Sequence, residues 1–221
     1  MSLTADDGTE IITHRLEDLA ATFLDLIDTP SSYPAGSAFF KLRVNVTEDG
    51  IEFVLDDSIA TFAWLSSSVD QVPITTDPTP VTFNTQNAIN GITHSVSVDS
   101  DEITIDKAGI YSISPSPEIG KDSGGARIGA GIFLQVDRGS GFVDEPNTGS
   151  AVTIKDSDIM LSIMSLYMLF LDVGDVFRIM QQVDVATVGM GLKSAPAVVI
   201  APTRPAVPSI SMVVQRIGDA A

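Results

Sequence analysis

The sequence predicts an all-β protein: a jelly-roll sandwich head preceded by a short N-terminal arm and a β-hairpin module. Three observations lead there. From Ala60 onward short apolar runs are separated by Gly, Pro, Asp and Asn, and several alternate with period two, such as Ile103/Ile105 and Ile132/Leu134/Val136. That alternation marks strands that bury one face. No segment after residue 60 keeps a helical period. Finally, 44% hydrophobic against 19% charged residues supplies a real core, in a 221-residue chain that suits one large domain with a small module.

In chain order, Thr9 can cap a run in which Ile12, Leu16, Leu19 and Phe23 recur at helical spacing. So short and acidic a helix is marginal alone, and an arm that orders only against a partner is the other reading of residues 1–24. Thr29-Pro-Ser-Ser32 and Tyr33-Pro-Ala-Gly36 are turn signals. Phe39–Val46, the turn Glu48-Asp-Gly50 and Ile51–Leu55 then read as a hairpin. A lone hairpin is barely stable in water, so residues 1–58 are expected to form a module that packs on something else. Residues 59–221 form the head, with strands expected at Thr61–Leu65, Val81–Phe83, Ser95–Val98, Glu102–Ile105, Gly109–Ser114, Ala130–Val136, Ala151–Lys155, Ser162–Leu169, Val176–Gln182 and Ser209–Arg216. Ile159–Leu171, apolar on both faces, reads as a buried strand. Eight to ten strands over this length fit a sandwich or jelly roll.

Charge narrows the function. Lys and Arg total 12 against 29 Asp and Glu, a net of -17. Nucleic-acid binding needs clustered bases, whereas here they are scattered, with Lys41 and Arg43 the closest pair. There is no cysteine, so neither disulfides nor thiolate metal sites are available. The N-terminus lacks the basic and apolar regions of a signal peptide, and Ile159–Leu171 is shorter than the roughly 20 residues that cross a bilayer. No membrane partner is expected, and synthesis in a cytoplasm is.

Four segments of residues 60–217 resemble the tumour-necrosis-factor-like jelly roll, also the globular head of complement and collagen-tail proteins. Ala60-Thr-Phe-Ala-Trp-Leu-Ser66 looks like that family's first strand. Glu102–Ile113 is similar to its strand, turn and Gly-x-Tyr signature, here Gly109 and Tyr111. Leu171-Asp-Val-Gly-Asp-Val-Phe177 is similar to its Leu-x-x-Gly-Asp turn, and Val207–Val214 to its closing strand. The longer segments Gly124–Gly131 and Ala186–Pro205 depart from the pattern. Phe23–Tyr33 followed by Val44–Phe53 resembles a module of tailed-bacteriophage fibre and virion proteins.

The first resemblance implies a homotrimer, with Phe62, Trp64, Tyr167 and Phe170 as candidate interface residues. A place in the core is the alternative for the same four. The second implies a virion protein at the particle surface, with Leu24, Leu26, Tyr33 and Phe53 as candidates for anchoring to capsid or tail proteins. The leading expectation is a non-enzymatic capsid decoration, cement or head-fibre protein. The alternative is a receptor-binding tail fibre tip or short spike that meets host surface glycan through Asn84–Gly91 and Asp137–Asn147, whose aromatic platform is Phe142.

No chemistry-bearing constellation stands out. Asp122-Ser-Gly-Gly125 is similar to the nucleophile string of chymotrypsin-like proteases, but a triad needs a His base, and neither His14 nor His94 has that family's flanking residues. The glycines at 124, 125, 129 and 131 precede a strand, not a helix that could present N–H groups to a phosphate. Calcium needs only oxygen ligands, and its candidates are Asp99, Asp101 and Asp156; solvated loop acid is the other reading. No cofactor is expected.

Overall fold

The computed structural model describes residues 3–4, 10–11, 40–44, 51–55, 60–157, 160–197, 199 and 203–219. The chain divides into two compact units, Met1–Ile59 and Ala60–Ala221. In the first, β1 (Leu3–Thr4) pairs antiparallel with β2 (Glu10–Ile11), and β3 (Phe40–Val44) with β4 (Ile51–Leu55), Phe40 opposite Leu55 and Leu42 opposite Phe53. The helix candidate at residues 12–23 and the turn at 48–50 lie outside the described residues.

The second unit is a jelly-roll sandwich. Its strands are β5 (Phe62–Ser67), β6 (Thr79–Pro80), β7 (Thr85–Asn90), β8 (Ile92–His94), β9 (Ile103–Ile105), β10 (Gly109–Gly120), β11 (Ile128–Asp137) and β12 (Phe142–Asp144). They continue with β13 (Ser150–Ile154), β14 (Leu161–Ser162), β15 (Tyr167–Leu171), β16 (Val176–Val183), β17 (Gly191–Leu192) and β18 (Ile210–Gly218). One sheet runs β14-β10-β18-β5-β7, with β15 and β17 also paired to β10. The other runs β12-β11-β16-β9-β8, with β13 on β11 and β6 on β16. We call them the β10 sheet and the β11 sheet.

Period-two alternation places the core between them. Leu65, Tyr111, Ile113, Met212 and Val214 point inward from the β10 sheet; Ile103, Ile132, Leu134, Phe177 and Ile179 meet them from the β11 sheet. Each such side chain contributes about 1.5–3 kcal/mol by leaving water.

Two motifs explain themselves once folded. Gly109 lies where β10 meets the end of β18: a Cβ there would stand 2.5 Å from the carbonyl oxygen of Gly218 and from Arg216 Nε, so only glycine lets the strands close. Two residues on, the buried Tyr111 donates its hydroxyl to the Lys107 carbonyl at 2.6 Å. In the Leu-x-x-Gly-Asp turn, Asp175 Oδ2 accepts the Asp172 N–H at 2.8 Å and Gly174 takes φ +88°, a conformation that glycine adopts without steric cost. The same turn ties to β9, for Gly174 N–H donates to the Ile105 carbonyl and Ile105 N–H to that of Asp175.

The structure corrects four elements. Val81–Phe83 is not a ladder strand; both apolar side chains are buried, but β6 stops at Pro80. Ser95–Val98 bends, because Ser95 Oγ accepts the N–H groups of Ser97 and Val98, a local competitor of sheet pairing; the strand is β8 instead. The stretch Asn84–Gly91, expected as a ligand loop, contains β7, an exposed strand whose polar sequence fits a sheet edge. Ile159–Leu171 is not one buried strand but two short ones, with Met164, Leu166 and Met168 exposed, since its pairing is to β10 alone.

Candidate functional site

The outward face of the β10 sheet is built by alternation. On β5 the outward residues are Phe62, Trp64 and Ser66; on β18, Ser211, Val213 and Gln215; on β10, Ile110, Ser112, Ser114 and Ser116; on β15, Met168 and Phe170. Register sets them side by side: Trp64 lies opposite Val213 and Val213 opposite Ser114, while Ser112 lies opposite Met168 and Ile110 opposite Phe170. The serines are short, so the middle of the face is flat. Trp64 is 50% exposed and Phe170 43% exposed. The Trp64 ring is steadied by its Nε1–H, which donates to Ser211 Oγ at 3.2 Å.

None of these positions is charged, although the chain carries -17; acid enters only at the margin, at Glu118. Beside Trp64 a groove of about 520 Å³ continues the face between Ser66, Asn87, Ser211 and the Ala195/Val207 bridge. At the sheet's other side, Met164 and Leu166 extend the apolar surface around an edge. Contiguous exposed apolar surface of this kind marks an interaction site, and a flat apolar edge invites pairing.

Of the four residues singled out in the sequence, Phe62, Trp64 and Phe170 come together on this face. Tyr167 does not; it points into the core and is 7% exposed, its hydroxyl buried without a hydrogen bond to the protein. Its parity on β15 is opposite to that of Met168 and Phe170. Sequence reading missed Val213, Met168 and Ile110. The signal was the alternation within Ser209–Arg216, where Ser211, Val213 and Gln215 share a parity, but their mixed polarity resembles an ordinary solvent face.

The outward face of the β11 sheet is the opposite in character. Glu102, Asp137 and Asp144 rise near the guanidinium of Arg178, while Asp184 stands beyond the far end of β16, beside Gly129. Arg178 Nε donates to Gln135 Oε1 at 2.9 Å, Nη1 stands 3.6 Å from Asp101, and the group lies 3.8 Å over the Phe142 ring. Burial, with Asp101 and Asp99 nearby, raises the Glu102 carboxyl above its ordinary value. Phe142 is therefore covered, not a free platform in the Asp137–Asn147 loop.

The calcium candidates separate. Asp101 sits by Arg178, which is opposite Gln135, whereas Asp156 follows Ile154, which is opposite Ile128. Ile128 and Gln135 are seven steps apart along β11, roughly 23 Å. Asp101 already faces Arg178, and among the described residues no group of three His, Cys, Asp or Glu is placed to hold a metal ion. Asp122 of the protease-like string is 2.7 Å from Lys193 Nζ, which also faces Asp70 at 3.5 Å, and among the described residues no histidine joins it. Burial works against ionising Asp70, but the Ser194 N–H and hydroxyl, with Lys193, outweigh it and hold that carboxyl below its usual range. His94 packs edge-on against Phe83 and its Nε2 faces the Ser100 carbonyl at 3.2 Å; burial lowers its pKa. Among the anchoring candidates, Leu24, Leu26 and Tyr33 lie outside the described residues, and Phe53 is on β4.

No family model matches the sequence, and neither does any curated protein. Solved structures are similar in fold. Murine APRIL at pH 5.0 aligns at 15% identity and a TM-score of 0.43, over 71% of this chain and 98% of that one. Eiger TNF from S. frugiperda aligns at 12% identity and a TM-score of 0.45, over 73% and 95%. The likeness is one of fold; what those proteins bind does not carry over.

Proposed function

We propose that the protein is a non-enzymatic, homotrimeric virion structural protein, a capsid decoration, cement or head-fibre component whose first unit attaches to the particle and whose jelly roll projects. The observation that carries the assembly is the uncharged, partly aromatic face of the β10 sheet on a strongly acidic chain. Copies at -17 repel one another, so they meet only where acid is absent, and this face and its apolar edge are such a place. The edge at Met164 and Leu166 and the face at Trp64 and Val213 are different surfaces. A contact of one with the other is head-to-tail, and with a threefold rotation between copies it closes as a ring of three, the proposed number. The virion assignment rests on the likeness of residues 23–53 to fibre modules, and the acidic exterior suits a surface that faces away from packaged nucleic acid.

Light scattering tests the assembly: the expected mass is three times that of one chain, and a folded single chain at micromolar concentration overturns it. Particles deleted for the gene test the placement, with loss of surface density and earlier heat release of the genome as the expected outcome. The tail-tip reading has less to stand on, because β7 occupies one of its two ligand loops and Arg178 covers the aromatic ring of the other.

A further inference from the structure

A second surface, on the opposite sheet, has the shape of a ligand site. β11 is flanked by β13 on one side and β16 on the other, and its outward positions 129 and 131 are both glycine. Gly129 lies opposite Thr153, and Gly131 opposite Ala151 and Gln182. A strand without side chains between two strands that have them makes a trough, two strand spacings or about 10 Å across. Its volume is about 440 Å³, within the range of small-molecule sites. Phe133, the next outward residue of β11, closes one end.

Two of the three glycines lining the trough have an internal reason. A Cβ on Gly129 would meet Asp184 Oδ2 at 2.4 Å, and one on Gly131 the Ser150 carbonyl at 2.7 Å. Gly149 has none. It is not among the residues of positive φ, and nothing lies within 4 Å of its missing Cβ. Neither backbone nor packing calls for glycine there; its effect is to leave the trough open. Polar atoms line the rest. Asp184 Oδ2 accepts the Gly129 N–H, which leaves Oδ1 for another donor. Gln182 gives its Nε2–H to the Thr76 carbonyl, which leaves Oε1, and the Thr153 hydroxyl lines the opposite wall.

We propose that this trough binds a neutral saccharide. The exposed acceptors suit sugar hydroxyls, Phe133 suits the C–H face of a pyranose ring, and Asp184 on an acidic protein turns away anions. The site is independent of the assembly proposed above, since it lies on the other sheet. Ligand-observed saturation-transfer NMR on the full chain tests it, with the methyl glycosides of glucose, galactose and N-acetylglucosamine at about 10 mM, tenfold above a millimolar dissociation constant. The expected result is transfer to at least one of them, lost in Gly149→Leu, which fills open space and keeps the wild-type melting temperature, and weakened in Thr153→Val. No transfer to any of the three, transfer that Gly149→Leu leaves unchanged, or equal transfer to a methyl sialoside overturns the proposal.

Discussion

The two outer faces of the sandwich are made by the same alternation from the same chain, yet one is free of charge and the other carries acids around a guanidinium. On the β10 sheet the outward positions are Ser, Gln, Val, Met and aromatic residues; on the β11 sheet they include Asp137, Asp144 and Asp184. In a chain of net -17 the first pattern is the one that needs an explanation. Solvation alone is served equally well by acid, so a face kept neutral points to something that covers it.

The strongest way to break the comparison is to charge the neutral face. Trp64→Glu, alone or with Met168→Glu, is expected to lower the light-scattering mass from three copies to one while far-UV circular dichroism keeps its β signature; unchanged mass would remove the β10 sheet from the interface. The mirror experiment, Arg178→Ala, strips the charged face of its cation. It is expected to cost about 1–2 kcal/mol in urea unfolding, for the lost Gln135 bond and the stacking on Phe142, and to leave the copy number alone.

Titration sharpens the contrast more gently. Burial depresses the pKa of His94, so the unfolded chain takes up the proton first as pH falls below about 6.5. The stability that neutral His94 allows is therefore present above that value and is lost as pH falls through the depressed folded value. His94→Gln is expected to flatten the slope of melting temperature between pH 7 and 5, and an unchanged slope would place the titration elsewhere. The smallest effect belongs to Tyr167→Phe. Its hydroxyl is buried without a protein partner, so removal is expected to shift stability by no more than about 0.5 kcal/mol in either direction and to leave the mass untouched, in contrast to Trp64.

Much of the architecture was legible in the residues. Gly109-Ile-Tyr111 and the turn at Asp172–Asp175 announce themselves because their geometry tolerates few other residues, and Ile132/Leu134/Val136 alternate because one face is buried. The face was less legible. Phe62, Trp64 and Phe170 stood out as aromatics, but which side of a strand each takes depends on register, and Tyr167 differs from Phe170 only by parity. Ile159–Leu171 misled because an exposed apolar edge reads like a core strand when nothing in the local sequence says what covers it. The trough escaped sequence reading altogether, since Gly129 and Gly131 of β11 meet Gly149, Thr153 and Gln182 only across the sheet, and a glycine-rich stretch at the start of a strand looks like a loose connection. The calcium candidates come apart for the converse reason: acids 55 positions apart in sequence, Asp101 and Asp156, were grouped by type where the fold holds them far apart.

The place of β18 has a consequence for how the molecule is made. It lies between β5 and β10 in the middle of its sheet, Ile210 opposite Ser67, so the two earlier strands have no direct bond to each other. Until residues 210–218 have left the ribosome, β5 waits with an open side, and the neutral surface that sister chains would grip does not yet exist. Assembly must then follow release of that strand, and folding is expected to be slow, because contacts across some 140 positions have to be found before they reward the chain.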